Sequence, residues 1–250
     1  VDLEALRDWL PADVWEAHVQ SVLAVSTDPT VRAFASRMAA RARAGVGDFE
    51  GARGVEAAAG FVAEVAVVGP FQNDGMAAFA SPLGPEIGPG PFAGRIGQID
   101  WRPVATPPTH NWLLDAWLAP AHAAAIFVSF AFEADTAFDG HLLVGSAAAY
   151  RVWLDGEPLA EQPEPLGESL GRDWLPLHVP AGQHTVLFKV ATSDNSAGMA
   201  VHLHGGDARV ALTVPTSTVV PRQAETWPTP VSVHARIDAA LGDAPTVDSL

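Results

Sequence analysis

Val65-Ala66-Val67-Val68-Gly69-Pro70-Phe71 divides this chain into two parts of different grammar. Upstream of the run, apolar residues recur at the spacing of a helix face. Downstream they alternate with period two, as expected of strands with one face on a core. The order is therefore helical hairpins first and strands second. Period two resumes just after Gly60, so Phe61 to Val68 is predicted to be a strand against the helical hairpin, with Phe49 and Val55 in a continuous seam.

In the helical part, Leu3, Leu6 and Leu10 share one face, and Trp15, Val19, Val22 and Leu23 share the next after Pro11 interrupts. Asp28-Pro29 supplies a side-chain acceptor for the first amides of a third helix and a residue whose φ already suits its first turn. That helix runs to about Gly45 through Val31, Phe34, Ala35 and Met38. Asp48 caps a fourth carrying Phe49, Ala52, Val55 and Ala58, and Gly60 supplies the left-handed residue that ends it.

In the second part, Ile126, Val128, Phe130 and Phe132 fall on one face of a strand, with Phe127, Ser129 and Ala131 on the other. Tyr150, Val152 and Leu154 alternate with Arg151 and Trp153, and Asp155-Gly156 is the positive-φ pair of a two-residue hairpin turn. Further strands read at 174–179, 184–191 and 198–204, with an edge strand at 208–214. All are short, turn-linked and without intervening long helices. The fold class is thus mainly β, an antiparallel jelly-roll β-sandwich with an N-terminal helical hairpin cap. The predicted division is 1–60 helical hairpins, 61–214 sandwich, 215–230 a linker rich in Thr, Ser and Pro, and 231–250 the start of a further helical segment. The first residue is not Met and the last ones follow that new helix, so the chain reads as a piece of a longer protein.

With 250 residues and 48% hydrophobic content, the chain can bury a full core. Against 29 Asp+Glu stand 14 Lys+Arg, a net charge of -15 that repels phosphate backbones and anionic headgroups. Nucleic acid is excluded as a partner on this ground. No apolar stretch approaches the roughly 18 residues that read as a membrane span, so membrane insertion is not expected. The absence of Cys removes disulfides, thiolate metal sites and Cys nucleophiles together without fixing the compartment.

Several short motifs now line up in one order. Gly60-Phe61-Val62, Val68-Gly69-Pro70-Phe71-Gln72-Asn73, Pro85-Glu86 and Gly97-Gln98-Ile99-Asp100-Trp101 resemble the opening of galactose-binding-like β-sandwich domains of large bacterial proteins. Val152-Trp153-Leu154-Asp155-Gly156 is similar to the hairpin of that family, and Leu177 to Val190 to its strand, turn and strand. The likeness covers about residues 60 to 207. The segment Ala39 to Ala58 resembles one tetratricopeptide-type hairpin, and in such proteins the pair sometimes precedes a transglutaminase-like region. The resemblance implies a non-catalytic accessory role, with glycan as ligand, some relatives holding structural calcium, and a periplasmic or extracellular setting.

Carbohydrate recognition calls for aromatic faces beside groups that bond hydroxyls. His110, Asn111, Trp112 and Asp115 supply these in one loop, and Trp153 and Trp174 add two further indoles. Glu133, Asp135 and Asp139 form a hard-oxygen cluster suited to calcium, the one cofactor the sequence suggests. His202 and His204, two apart on a strand, project side by side and read as a solvent-facing polar pair. Catalytic signals are thin. Ser146 lacks the second glycine of a nucleophile elbow, Glu86, Asp100 and Glu133 have no sequence reason to pair as acid and base, and the prolines within Gly84 to Gly94 remove the amides a phosphate would need.

The reading is a non-catalytic, glycan-binding or domain-positioning module. Its alternatives are a helical-repeat protein-interaction scaffold capped by a structural sandwich, and a fragment of a polysaccharide-acting hydrolase or lyase. A protein partner would use the helical part.

Overall fold

The computed structural model describes residues 12–106, 112–113, 122–165, 172–193, 198–206, 208–215, 219–232 and 235. Three helices come first: α1 (Ala12–Val25), α2 (Pro29–Gly45) and α3 (Phe49–Ala59). Asp28 caps α2, its Oδ1 accepting from the amides of Thr30 at 2.8 Å and Val31 at 3.0 Å. Gly60 ends α3 at φ 88, and the Phe61 amide then reaches back to the Glu56 carbonyl at 3.0 Å. This pattern closes a helix with a left-handed residue and re-satisfies its last carbonyls. Trp15 and Val19 of α1 pack with Ala35, Met38 and Ala39 of α2, and Val55 of α3 joins them.

Phe49 does not enter the seam. It is 57% exposed, because it is the first residue of α3 and projects from the helix end. The contact between helices and strands is built instead from small residues, with Ala33 and Ala59 meeting Phe61, Leu143 and Trp174.

The strands are β1 (Glu64–Gln72), then, after a short α4 (Ala77–Ala80), β2 (Phe92–Gly94), β3 (Gly97–Ile99), β4 (Arg102–Ala105) and β5 (Trp112–Leu113). They continue with β6 (Ala124–Ala134), β7 (Phe138–Ser146), β8 (Ala149–Leu154), β9 (Glu157–Gln162) and β10 (Asp173–Val179). The last are β11 (Gly182–Thr192), β12 (Gly198–His204), β13 (Val210–Thr213) and β14 (Val231–Ser232). One seven-stranded sheet runs β4-β1-β6-β11-β8-β9, with β13 beside β1 on the same edge of β6. A five-stranded sheet runs β14-β10-β7-β12-β5, and β2 and β3 form a small ribbon. Every pairing is antiparallel, with β6 and β11 matched from Ala134 and Gly182 to Ala124 and Thr192.

The two larger sheets share one core. Ile126, Val128, Phe130 and Phe132 meet Val186, Phe188 and Val190 from their own sheet and Leu142, Val144, Leu175 and Val201 from the other. The predicted alternation of β6 is met, since Ala125 and Phe127 point to the opposite face. The β8–β9 hairpin also follows its sequence, with φ of 52 at Asp155 and 83 at Gly156.

The outer face of the seven-stranded sheet is covered by the irregular stretch from Asn73 to Trp101. Phe79, Phe92 and Trp101 lie over Phe71, Phe127, Trp153 and Leu187. Residues read from sequence as a linker also lie on this face. Trp227 meets Trp153 edge to face at 5.0 Å, and the Arg222 amide bonds the Gly156 carbonyl at 2.7 Å. The helices reach the outer face of the five-stranded sheet at Leu143 and Trp174.

Candidate functional site

Of the residues that sequence reasoning assembled for sugar binding, His110, Asn111 and Asp115 lie outside the described residues. Trp112 opens β5 opposite Met199, and only its strand placement is described. Trp153 presents no face to a ligand. It is fully buried, and its indole N–H donates to the Arg222 carbonyl at 3.0 Å. Trp174 is half-buried and stacks on His141 with ring centroids 3.5 Å apart. It lies on the outer face of the five-stranded sheet, whereas Trp153 lies on the outer face of the other, so these two indoles form no common platform.

The proposed calcium ligands do not converge. Glu133, Asp135 and Asp139 are all exposed, but Asp135 accepts the Arg209 amide at 3.0 Å and Asp139 pairs with His178. Among the described residues, no group of three or more His, Asp or Glu side chains is placed to hold a metal ion.

Ser146 and Glu86, two of the residues weighed for catalysis, are bonded within the fold. Ser146 Oγ is buried, donating to the Ala148 carbonyl at 2.8 Å and accepting the Ala148 amide at 3.1 Å. Glu86 and Lys189, the chain's single lysine, form an ion pair at 2.6 Å with both side chains wholly inaccessible. Lys189 also donates to the Ser81 carbonyl at 2.8 Å, while Glu86 accepts from the Leu83 amide at 3.1 Å and from Gln223 at 3.3 Å. Burial lowers the lysine's proton affinity, and the Glu86 carboxylate opposes that shift without cancelling it. Tyr150 donates to Asp173 at 2.8 Å, and Asp173 also holds Arg172 at 3.0 Å. Burial, with the Asp173 charge second, raises the Tyr150 phenol far above its usual range, so it is no acid or base near neutrality.

The lysine was missed although its sequence carried a signal. Alternation in β11 puts Val186, Phe188 and Val190 inward, so Leu187, Lys189 and Ala191 must share the other face. A single lysine between two apolar neighbours on that face marks a buried partner.

One open concave surface that combines polar and apolar groups lies where the helices meet the end of β12. The backbone there is stitched by Leu203 N–H to the Gly60 carbonyl at 2.9 Å and Val62 N–H to the Val201 carbonyl at 3.2 Å. A Cβ on Gly60 would stand 2.2 Å from the Leu203 carbonyl oxygen, so only glycine permits this approach. A cleft of about 500 Å³ opens on either side of this crossing. One is floored by Phe61, Leu203 and Leu212 between α3 and the β4 edge. The other lies between α1, α2 and the β12 end, lined by Gln20, Leu23, Ser36, Val55, His202 and His204. A third cleft of about 630 Å³, over the β1 end, is rimmed by Phe71, Pro82, Leu83 and Phe92.

His202 is not solvent-facing, as the sequence suggested. It is 3% exposed, because Gly60 and Phe61 bring the helical part down over β12. Its ring meets Phe61 edge to face at 5.0 Å. Nδ1 is buried without a hydrogen-bond partner, so the bond that His202 makes to the Ala59 backbone belongs to Nε2. That fixes the neutral tautomer with hydrogen on Nε2 and leaves Nδ1 an acceptor. Burial pushes the imidazole down to about 4, the Ala59 bond opposing and His204 adding to the fall. His202 is neutral at physiological pH.

No family model and no curated protein matches this chain. Two solved structures with which it aligns are a beta-glucosidase from Kluyveromyces marxianus, at TM-score 0.37 and 9% identity over 56% of this chain, and a GH31 alpha-xylosidase from Xanthomonas citri, at TM-score 0.29 and 11% identity over 59%. The chain covers 16% of each of those proteins. The tetratricopeptide and transglutaminase parts of the resemblance find no support in these comparisons.

Proposed function

We propose that this chain is a non-catalytic jelly-roll β-sandwich module, galactose-binding-like in architecture, that binds neutral glycan and positions its neighbours in a larger protein. The observation that carries this reading is the commitment of its buried polar groups. Ser146, Glu86, Lys189, Tyr150 and Asp173 are each recessed and bonded within the fold, so none is an accessible nucleophile beside a base. The cleft over the β1 end is lined by amide, hydroxyl and apolar side chains alone among the described residues, a mixture suited to holding an uncharged ligand. The overall charge of -15 disfavours anionic ligands in the same direction.

Calorimetric titration of the chain with a panel of neutral mono- and oligosaccharides tests the reading, run beside hydrolysis assays on the same sugars. Saturable binding without turnover is the expected outcome. Turnover above buffer, abolished by Glu86→Gln in a folded protein, would replace it with a hydrolase. Absence of binding across the panel would leave a positioning role alone.

A further inference from the structure

We infer that the glycan seat is the cleft between α3 and the β4 edge, where Arg53 and Glu64 bond the hydroxyls of a neutral sugar over a floor of Phe61, Leu203 and Leu212. The inference rests on the binding reading above and adds the place, the contacts and the ligand class.

The three clefts differ in what their polar groups have left to offer. Over the β1 end, the Gln72 amide is held by Asp74 at 2.6 Å, and the rings of Phe71 and Phe92 are buried in the cover. Beside α1 and α2, the Arg32 guanidinium is turned onto the carbonyls of Leu23 at 2.5 Å and Ser26 at 3.1 Å, and His202 Nδ1 is shut off from solvent. Between α3 and β4, Arg53 and Glu64 both line the cleft and both are exposed. Among the described residues, neither side chain has a hydrogen bond or an ion pair, with the other or elsewhere, so their bonding capacity is unspent.

The walls of this cleft are stitched together by backbone. Arg53 and Ala57 lie one turn apart on α3, and the small side chain at 57 leaves the wall open beside the arginine. The Gly60 carbonyl that ends α3 takes the Leu203 amide at 2.9 Å, and the Ala63 carbonyl takes the Thr106 amide at 2.9 Å. Glu64 then opens β1 opposite Ala105 of β4. A seat fixed in this way before the ligand arrives loses little binding energy to ordering. Its volume of about 500 Å³ lies within the range of roughly 300–1,000 Å³ typical of small-molecule sites and suits a mono- or disaccharide.

A hydroxyl accepts from a guanidinium and donates to a carboxylate, so one kind of group serves both walls. Bonds of this kind, with one charged partner, are stronger than those between neutral groups. A sugar ring carries such hydroxyls at its edge and C–H groups on its face, which match the apolar floor. A sugar acid would meet Glu64 and the overall charge of -15 unfavourably.

The test is calorimetric titration of the full chain with glucose, galactose, mannose, xylose and their neutral disaccharides, and with leucine as a zwitterion, beside a melting curve for each variant. Arg53→Met and Glu64→Met are each expected to weaken sugar binding by about tenfold or more. Ala105→Phe fills the cleft from β4 and should abolish it. All three positions are exposed, so each variant should melt close to the unaltered chain. Ser36→Leu and Ile87→Trp, placed in the two other clefts, should leave the affinity unchanged.

Sugar binding that survives Ala105→Phe, or that is lost in Ser36→Leu or Ile87→Trp instead, would overturn the placement and leave the glycan reading intact. Binding lost in Ala105→Phe but unchanged in Arg53→Met and Glu64→Met would keep the cleft and overturn the two contacts. No sugar bound by the unaltered chain would overturn both readings, and leucine bound in its place, then lost in the same variants, would make the cleft a seat for zwitterions.

Discussion

The two outer faces of the sandwich are covered in opposite ways. Over the seven-stranded sheet, an irregular stretch is held down by bulky rings and by the inaccessible Lys189–Glu86 pair. Over the five-stranded sheet, helices approach through alanines and a glycine, and histidines occupy the seam. The first cover has a cleft of its own over the β1 end, but it shuts Lys189 and Glu86 off from solvent and leaves them bonded only to one another and to neighbouring amides and carbonyls. The second leaves clefts and an acceptor without a donor. A buried ion pair fastens the first cover, whereas the second is closed by small residues and leaves a buried acceptor unmatched.

The largest effect that would break this contrast is at the ion pair. Glu86→Ala strands an ammonium, and Lys189→Ala strands a carboxylate, at a site shut off from solvent. Each single change should cost about 3–5 kcal/mol of folding stability. The double variant Lys189→Met with Glu86→Leu removes both charges while keeping volume, and should be markedly more stable than either single variant. Urea denaturation of the four proteins measures the coupling. Additive single losses would show that the pair does not fasten the cover.

The helical side should respond to acid. His202 binds a proton at about 4 in the folded chain against the ordinary 6.5, so between these values the unfolded chain holds more protons than the native one. Stability is therefore fully present above 6.5 and is lost as pH falls toward 4, by an amount on the order of 3 kcal/mol. His202→Gln keeps a donor near the Nε2 position and does not titrate. Its stability should be flatter across this window in denaturant titrations at a series of pH values. Identical pH profiles for the two proteins would remove His202 from the seam's energetics.

Much of the architecture was legible because its signals are local. Asp28, Asp48 and Gly60 set the helix limits, Asp155-Gly156 set a hairpin, and alternation in β6, β8 and β11 divided inward from outward residues. What could not be read was what covers an outward face. Trp153 and Arg151 were rightly placed opposite Tyr150 and Val152, but outward in a sheet does not mean exposed when residues from Asn73 to Trp101 and Trp227 return across it from far along the chain. The same gap hid His202, whose strand looks amphipathic until Phe61 and Ala59 close over it. The stretch His110 to Asp115 has the composition of a sugar site, but composition alone does not say whether such groups converge on one surface.

The smallest effect probes the sealed face from its edge. Arg151 lies between the rings of Phe79 and Trp227, its guanidinium carbon 4.8 and 5.0 Å from their centroids, and it pairs with Glu161 across the β8–β9 ladder. Arg151→Lys keeps the charge and the ion-pair option but gives up the planar cation that lies against both rings. Lysine is a compact ammonium on a flexible stem, so the ion pair can survive while the stacking does not. The loss should be about 0.5–1 kcal/mol, with increased solvent accessibility of Trp227 in fluorescence quenching and no change in sugar affinity. A loss of several kcal/mol would mean that Arg151 belongs to the same fastening as Lys189, two positions paired directly across β8 and β11. A loss of sugar affinity would instead move the ligand to this face, and the contrast between a sealed cover and a receptive one would reverse.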